Sequence, residues 1–247
     1  MERDPAEAVV NNVAASRNLV LAAERRGVER LVFISTDKAA DPRGVMGATK
    51  RVMELYLRSR PPGGCRFITV RFGNVIGSDG SVVPLFLRQI RRGGPVTVSH
   101  PEATRFFMTV REAALLVLRA SVIGRGGETF ILDMGEALNI LEIARDIILL
   151  SGHEPETEIP VEITGLREGE KLHEVLVTAD EELVPVGEEK ILLARPTAAL
   201  PARIEEEVDA LVEAALRRDG AAVVDGLARL LPGFDPPPGP FPGATAT

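Results

Sequence analysis

Leu31-Val32-Phe33-Ile34-Ser35 is an uninterrupted apolar run of strand length. A strand with one wet face would alternate apolar and polar positions, so the run predicts a parallel strand covered on both faces. Just upstream, Asp4-Pro5-Ala6-Glu7 predicts a helix start, with a carboxylate at the cap, proline at the first helical position and glutamate three residues after the cap. Val9, Val10, Val13, Ala14, Val20 and Leu21 share one arc of a helix reaching about Arg26, although Arg17 and Glu24 interrupt it, and Gly27 supplies a stop.

Downstream, a helix is expected over 47–58, a break at Pro61-Pro-Gly-Gly64, a strand over 67–71, a helix over 111–122 and a strand over 129–133. Strands alternating with helices imply a right-handed, doubly wound α/β sheet. Beyond Asp133 the pattern is less regular: a helix over 141–151, a short strand over 161–164 and a turn of helix around Lys171 suggest a small appended lobe. Helices are expected over 202–217 and 221–231, and the Pro- and Gly-rich residues 232–247 as a disordered tail. There is no internal repeat.

The 247 residues are 45% hydrophobic and 26% charged, ordinary for a globular protein. A net charge of −7, with no Lys/Arg run longer than three, argues against nucleic acid or anionic membrane as a partner. No apolar stretch approaches the roughly 18 to 20 residues of a membrane span, and Met1-Glu2-Arg3-Asp4-Pro5 lacks the apolar core of a signal peptide. These readings predict a soluble, cytoplasmic chain with no membrane contact in this segment. The single cysteine, Cys65, cannot form an internal disulfide, and the absence of a Cys/His cluster predicts no metal.

Three segments leave strand ends or open a helix with polar groups. Ile34-Ser-Thr-Asp-Lys-Ala39 puts four of them at the carboxyl end of a buried strand, where open α/β sheets bind ligands. Taken alone it also reads as a capped turn with Asp37 and Lys38 solvated. Met46-Gly-Ala-Thr-Lys50 sets Met46 and Lys50 one helical turn apart, a spacing that by itself means packing beside a surface charge. Arg71-Phe-Gly-Asn-Val75 and Gly77-Ser-Asp-Gly-Ser81 combine glycines that permit close backbone approach with Asn74, both donor and acceptor. Thr104-Arg-Phe-Phe-Met108 and Gly165-Leu-Arg-Glu-Gly-Glu-Lys171 each hold an arginine whose fork suits phosphate oxygens, although isolated arginines are more often surface ion pairs.

In this order and spacing, ISTDKA (34–39), GVMGATKR (44–51), RFGNVIGSDGSVVPLF (71–86), TRFFMT (104–109) and GLREGEKLHE (165–174) resemble the UDP-N-acetylglucosamine 4,6-dehydratases. These are extended short-chain dehydrogenase/reductases of bacterial surface-polysaccharide and glycan synthesis. The resemblance covers about residues 2–195; the last fifty or so contribute nothing to it. It implies the carboxy-terminal part of a Rossmann-like sheet plus a small α/β substrate-binding lobe. The expected division is a partial catalytic domain over 1–135 with an inserted substrate-binding segment near 76–110, a lobe over 136–195, helices over 196–231 and the tail over 232–247.

The resemblance also implies a reaction. Bound NAD, rather than NADP, takes a hydride from sugar carbon 4 of a UDP-N-acetylhexosamine, water leaves across carbons 5 and 6, and the hydride returns to carbon 6. Asp37 would protonate the departing hydroxyl, Lys38 would remove the carbon-5 proton and Thr36 would bond the carbon-4 oxygen. Lys50 would hold the nicotinamide ribose, with Ser35, Met46 and Phe72 beside the cofactor. Asn74, Arg105, Arg167 and Glu170 would contact the diphosphate or nucleoside of the UDP-sugar. The chemistry is coherent, because a carbon-4 ketone acidifies the carbon-5 proton and a lysine that can lose its own proton near neutrality could remove it.

Two departures qualify this expectation. The tyrosine usual in the superfamily four residues before the helical lysine is Met46 here, as in the long, membrane-anchored branch, and the only tyrosine is Tyr56. Asp37 acting through water then becomes the candidate base for the carbon-4 hydroxyl. No Gly-x-Gly-x-x-Gly occurs anywhere, although that loop holds the NAD pyrophosphate. The expectation is therefore a piece of a longer enzyme whose full form is membrane-anchored with a cytoplasmic catalytic domain, inactive alone and open to homo-oligomer formation. The alternatives are a non-catalytic sugar-nucleotide-binding remnant or a nucleotide-sugar epimerase, which needs no elimination catalyst at Thr36-Asp37-Lys38.

Overall fold

The computed structural model describes residues 1–78 and 81–235; residues 79–80 of the glycine-rich segment and 236–247 of the expected tail lie outside the described residues. In chain order the elements are α1 (Pro5–Val9), α2 (Ala15–Arg25), β1 (Arg30–Ile34), α3 (Val45–Arg58), β2 (Arg66–Arg71), β3 (Asn74–Ile76), α4 (Val82–Arg91), β4 (Val96–Val98), β5 (Thr104–Arg105), β6 (Phe107–Thr109) and α5 (Val110–Ile123). There follow β7 (Thr129–Leu132), β8 (Leu138–Asn139), α6 (Ile140–Leu150), β9 (Val161–Ile163), β10 (Glu181–Pro185), β11 (Ile191–Pro196), α7 (Ile204–Leu216) and α8 (Gly220–Leu230). They divide into two compact units, one of residues 1–72, 116–133 and 175–247, the other of 73–115 and 134–174.

In the first unit, Asp4 caps α1 by accepting a hydrogen bond from the Glu7 amide at 2.9 Å. A π-type turn over Val10–Ala14 carries the helix into α2. The two polar residues that interrupt the apolar arc are ion-paired, Arg17 with Asp209 at 2.5 Å and Glu24 with Arg60 at 2.9 Å. The helix ends at Gly27, whose φ of 64° lets the Val28 amide reach the Ala23 carbonyl at 2.9 Å, the Schellman arrangement.

The sheet of this unit has the order β1-β2-β7-β11-β10. Its first three strands are parallel and the last two are antiparallel additions. The segment over 181–196 thus extends the main sheet. The run at 31–35 forms an edge of the sheet, paired only with β2 among the described residues, and the residues of β1 are mostly half-buried rather than fully covered. Phe33 is buried but Ile34 is 42% exposed, and with Leu19, Val28 and Val32 it lines an apolar hollow of about 570 Å³. An unpaired apolar edge is a template for another strand. The purified chain is expected to self-associate with rising concentration in sedimentation velocity, and Ile34→Lys to suppress this. A monomer at high concentration would contradict the reading.

The core beneath the sheet joins distant parts of the chain. Val208, Leu211, Ala215, Val223, Leu227 and Leu230 of α7 and α8 belong to the same buried cluster as Ala8, Val9, Val52 and Met53. At about 1.5–3 kcal/mol for each large apolar side chain removed from water, these contacts hold the last two helices in place. Residues that add nothing to the family resemblance therefore build the core.

The second unit pairs β3 with β6 and β4 with β9 in parallel, and β5 with β8 antiparallel. Phe86 and Ile90 of α4 pack with Ile140, Ala144 and Ile148 of α6 over Val96 and Val98. Asn139 caps α6, accepting from the Leu141 amide at 2.8 Å. The helix turn expected around Lys171 is absent; Glu168 and Gly169 form a turn, and His173 makes an isolated bridge to Thr104. The unexpected α4 begins Val82-Val-Pro84, where proline fits a first helical turn as readily as a loop.

Candidate functional site

The carboxyl ends of β1 and β2 gather the segment over 34–39. The Ser35 amide donates to the Val70 carbonyl at 2.8 Å and the Asp37 amide to the Phe72 carbonyl at 3.0 Å, so the parallel pairing continues past the strand into the loop. A 3-10 turn, Asp37–Ala39, follows. Asp37 is fully buried, and its Oδ1 accepts from the Thr36 hydroxyl at 2.9 Å and from Lys38 Nζ at 2.9 Å. Its Oδ2 is buried with no hydrogen-bond partner. One oxygen of this side chain thus accepts two hydrogen bonds while the other is left without a protein partner.

Helix α3 is fitted against this loop. Gly47 makes that possible, because a Cβ there would lie 2.2 Å from the Lys38 carbonyl oxygen. The free amides at the start of α3 are met by the Glu2 carboxylate, which accepts from Val45 at 2.6 Å and Met46 at 3.2 Å. One turn on, Lys50 Nζ donates to the Ile34 carbonyl at 3.1 Å and stands 4.7 Å from the centre of the Phe33 ring. Burial lowers the Lys50 pKa from its ordinary value, against a smaller opposing effect of Glu54.

Behind the loop lies a buried ion cluster that the sequence reading missed. The Ser35 hydroxyl donates to Glu54 Oε1 at 2.6 Å, and Arg71 Nη2 donates to Glu54 Oε2 at 2.5 Å. Arg71 Nη1 also reaches Glu181 at 2.8 Å, and Arg51 Nη1 bonds Glu54 at 3.0 Å and Glu181 at 2.6 Å. Two guanidinium groups thus neutralise two carboxylates. Burial alone would raise the Glu181 pKa, but Arg71 and Arg51 outweigh it and hold the group at about 2, below its ordinary 4.5; the net shift of Glu54 is also downward. A carboxyl depressed in the folded state stabilises it above the unfolded value, and that contribution is lost as pH falls through the folded one. Urea unfolding midpoints are expected to drop as pH is lowered from about 4.5 towards about 2, and Glu181→Gln to flatten that slope.

In the second unit the remaining candidates separate into two situations. Arg105 is nearly buried and spends its donors within the protein, on Glu170 at 2.6 Å and on the carbonyls of Thr104 at 2.8 Å and Leu172 at 3.1 Å. Glu170 in turn accepts from the Ser99 hydroxyl at 2.9 Å and the Arg167 amide at 3.1 Å. Arg105 and Glu170 therefore brace the loop over 165–174, while Arg167 is exposed. Asn74 is half-buried, its amide nitrogen Nδ2 on the Phe106 carbonyl at 3.3 Å. Ser35, Thr36, Asp37, Lys38, Lys50 and Phe72 belong to the first unit and Asn74, Arg105, Arg167 and Glu170 to the second. Half-buried Met46 starts α3 in the first. Among the described residues no group of His, Cys, Asp and Glu could hold a metal, and no helix is long and apolar enough to cross a membrane.

Comparison with known proteins places these features. The chain is 46% identical over 215 residues to the capsular polysaccharide biosynthesis protein CapD of Staphylococcus aureus, a match covering 86% of this chain and 35% of that protein. It is 35% identical over 181 residues to the UDP-glucose 4-epimerase of Rickettsia typhi, covering 72% of this chain and 52% of that one. The chain thus spans about a third to a half of the length of these relatives. Among solved structures, Pen from Bacillus thuringiensis shares the fold with a TM-score of 0.71 at 33% identity, over 80% of this chain and 61% of that one. The family model described as polysaccharide biosynthesis protein matches residues 1–196, the stretch that holds every strand and both sets of candidate residues, and the chain belongs to that family of extended short-chain dehydrogenase/reductases.

Proposed function

We propose that these residues form the catalytic and substrate-binding part of an NAD-dependent 4,6-dehydratase acting on a UDP-N-acetylhexosamine for surface-polysaccharide synthesis. The observation that carries the reading is the buried Asp37, bonded to Thr36 and Lys38 through one oxygen and idle at the other. A proton passed along the 2.9 Å bond from Lys38 Nζ to Asp37 turns the ion pair into a carboxylic acid and a free amine. Those are the two groups an elimination needs together. Lys38 then takes the carbon-5 proton, Asp37 gives its proton to the departing carbon-6 hydroxyl, and the original pair is restored with release of water. Thr36 positions the carbon-4 oxygen.

For the nicotinamide end of NAD, Lys50 with Met46 and Phe72 would offer a cationic and partly apolar seat at the strand end, whereas the buried Ser35, expected beside the cofactor, gives its hydroxyl to Glu54. When bound, NAD supplies a hydride acceptor for carbon 4. Its pyrophosphate is normally held by a Gly-x-Gly-x-x-Gly loop, and that motif does not occur in the 247 residues. Calorimetric titration of this chain alone is expected to show weak NAD binding, and tight stoichiometric binding would contradict the assignment. For the substrate, exposed Arg167 and half-buried Asn74 would offer donors to the diphosphate, with Arg105 and Glu170 holding the Arg167 loop.

The identity to a UDP-glucose 4-epimerase supports a second reading, in which the hydroxyl at carbon 4 is inverted and nothing is eliminated. Mass spectrometry separates the two in a chain completed with a dinucleotide-binding half. The dehydratase reading expects a product lighter than UDP-N-acetylglucosamine by one water; an isomer of unchanged mass would establish the epimerase.

A further inference from the structure

The first unit holds another hollow, of about 510 Å³, none of whose lining belongs to the strand-end site. Arg51, Leu55 and Arg58 of α3 line it together with Thr178, Leu200 and Phe234. Its size is that of a small-molecule site, and its walls are largely apolar. The charges around it do not balance. Arg51 and Arg71 are matched by Glu54 and Glu181, but half-buried Arg58 forms no ion pair with a carboxylate among the described residues. Burial, and then the like charge of Arg51, lower its pKa from the ordinary arginine value, against smaller opposing effects of Glu181 and Glu54. On the same lining, Thr178 Oγ1 is buried without a hydrogen-bond partner. The two aspartates that also line the hollow, Asp41 and Asp180, are exposed, where water weakens their repulsion of an anion.

We infer that this hollow binds a small amphiphile with an anionic head, seated on Arg58 and Thr178, and an apolar body against Leu55, Leu200 and Phe234. A guanidinium fork satisfies two oxygens of a phosphate or carboxylate at once, and the idle hydroxyl can donate to a third contact. The site is independent of the dehydration reading, since it uses no residue of the strand-end loop.

Calorimetry on the whole 247-residue chain tests this with three probes: phenyl phosphate, inorganic phosphate and phenol. Phenyl phosphate is expected to bind saturably to one site, and each of the others at least about tenfold more weakly, because each lacks half of the contacts. Arg58→Gln is expected to weaken phenyl phosphate by about 10- to 100-fold, since it removes a hydrogen bond to a charged group. It should fold, having lost only a half-buried cation that forms no ion pair among the described residues. Thr178→Val, which deletes only the idle hydroxyl, is expected to cost about fivefold and decides the matter should Arg58→Gln not fold. Phenol binding as tightly as phenyl phosphate, or undiminished binding by the variants, would overturn the inference.

Discussion

Lys38→Ala is expected to lower turnover of a UDP-N-acetylhexosamine by about 100- to 10,000-fold, the usual effect of losing a positioned general base. The measurement needs a chain completed with a glycine-rich dinucleotide loop. Substrate and NAD affinity should change little, because in the proposed mechanism the base acts in the elimination transition state while ground-state affinity would rest on Asn74, Arg167 and the dinucleotide loop. Oxidation at carbon 4 precedes the elimination in this scheme, so the variant mixed with substrate should still accumulate reduced cofactor, visible in the near-ultraviolet. Lys38→Arg should not rescue turnover, since a guanidinium keeps its proton and cannot become the free amine that the Asp37 pair requires. If Lys38→Ala retained most of its activity, Lys38 would be reduced to a charge balancing Asp37.

Arg71→Met is the substitution expected to cost most in stability, about 3–5 kcal/mol. Arg71 has no exposed surface, and its removal leaves Glu54 and Glu181 sharing a low-dielectric interior with Arg51 alone. The double variant Arg71→Met/Glu54→Gln should recover part of the loss, because it removes a buried charge together with its partner. Denaturant unfolding of the two variants measures both effects. A loss below about 1 kcal/mol, the scale of an exposed pair, would mean that water reaches the cluster.

How far the sequence could be read depends on distance along the chain. The segment over 34–39 was legible as a site because its polar residues are contiguous and leave an apolar run. The helices were legible where a cap, an apolar period and a stop coincide, as from Asp4 to Gly27. The strands of two or three residues in the second unit are too short to show a period. Glu54, four residues after Lys50, reads as a surface ion-pair partner on its helix, and only folding turns it inward to Ser35 and Arg71. Glu181 lies 110 residues from the Arg71 it neutralises, and no local pattern announces that. Arg105 was legible as an anion-binding arginine, yet the structure gives its donors to Glu170 and two carbonyls, a choice set by the loop beside it.

That 110-residue separation also sets an order of events during synthesis. Arg51, Glu54 and Arg71 leave the ribosome as two cations and one anion, and the compensating carboxylate emerges only with β10. Until then, closing the interior around them would trap an uncompensated positive charge. The Ser35 hydroxyl, tied to that cluster through Glu54, cannot settle before it closes. The nascent loop carrying Asp37 and Lys38 is therefore expected to stay open to chaperones and proteases until β10 has been made, with the antiparallel strands at the far side of the sheet as the latch that finishes it.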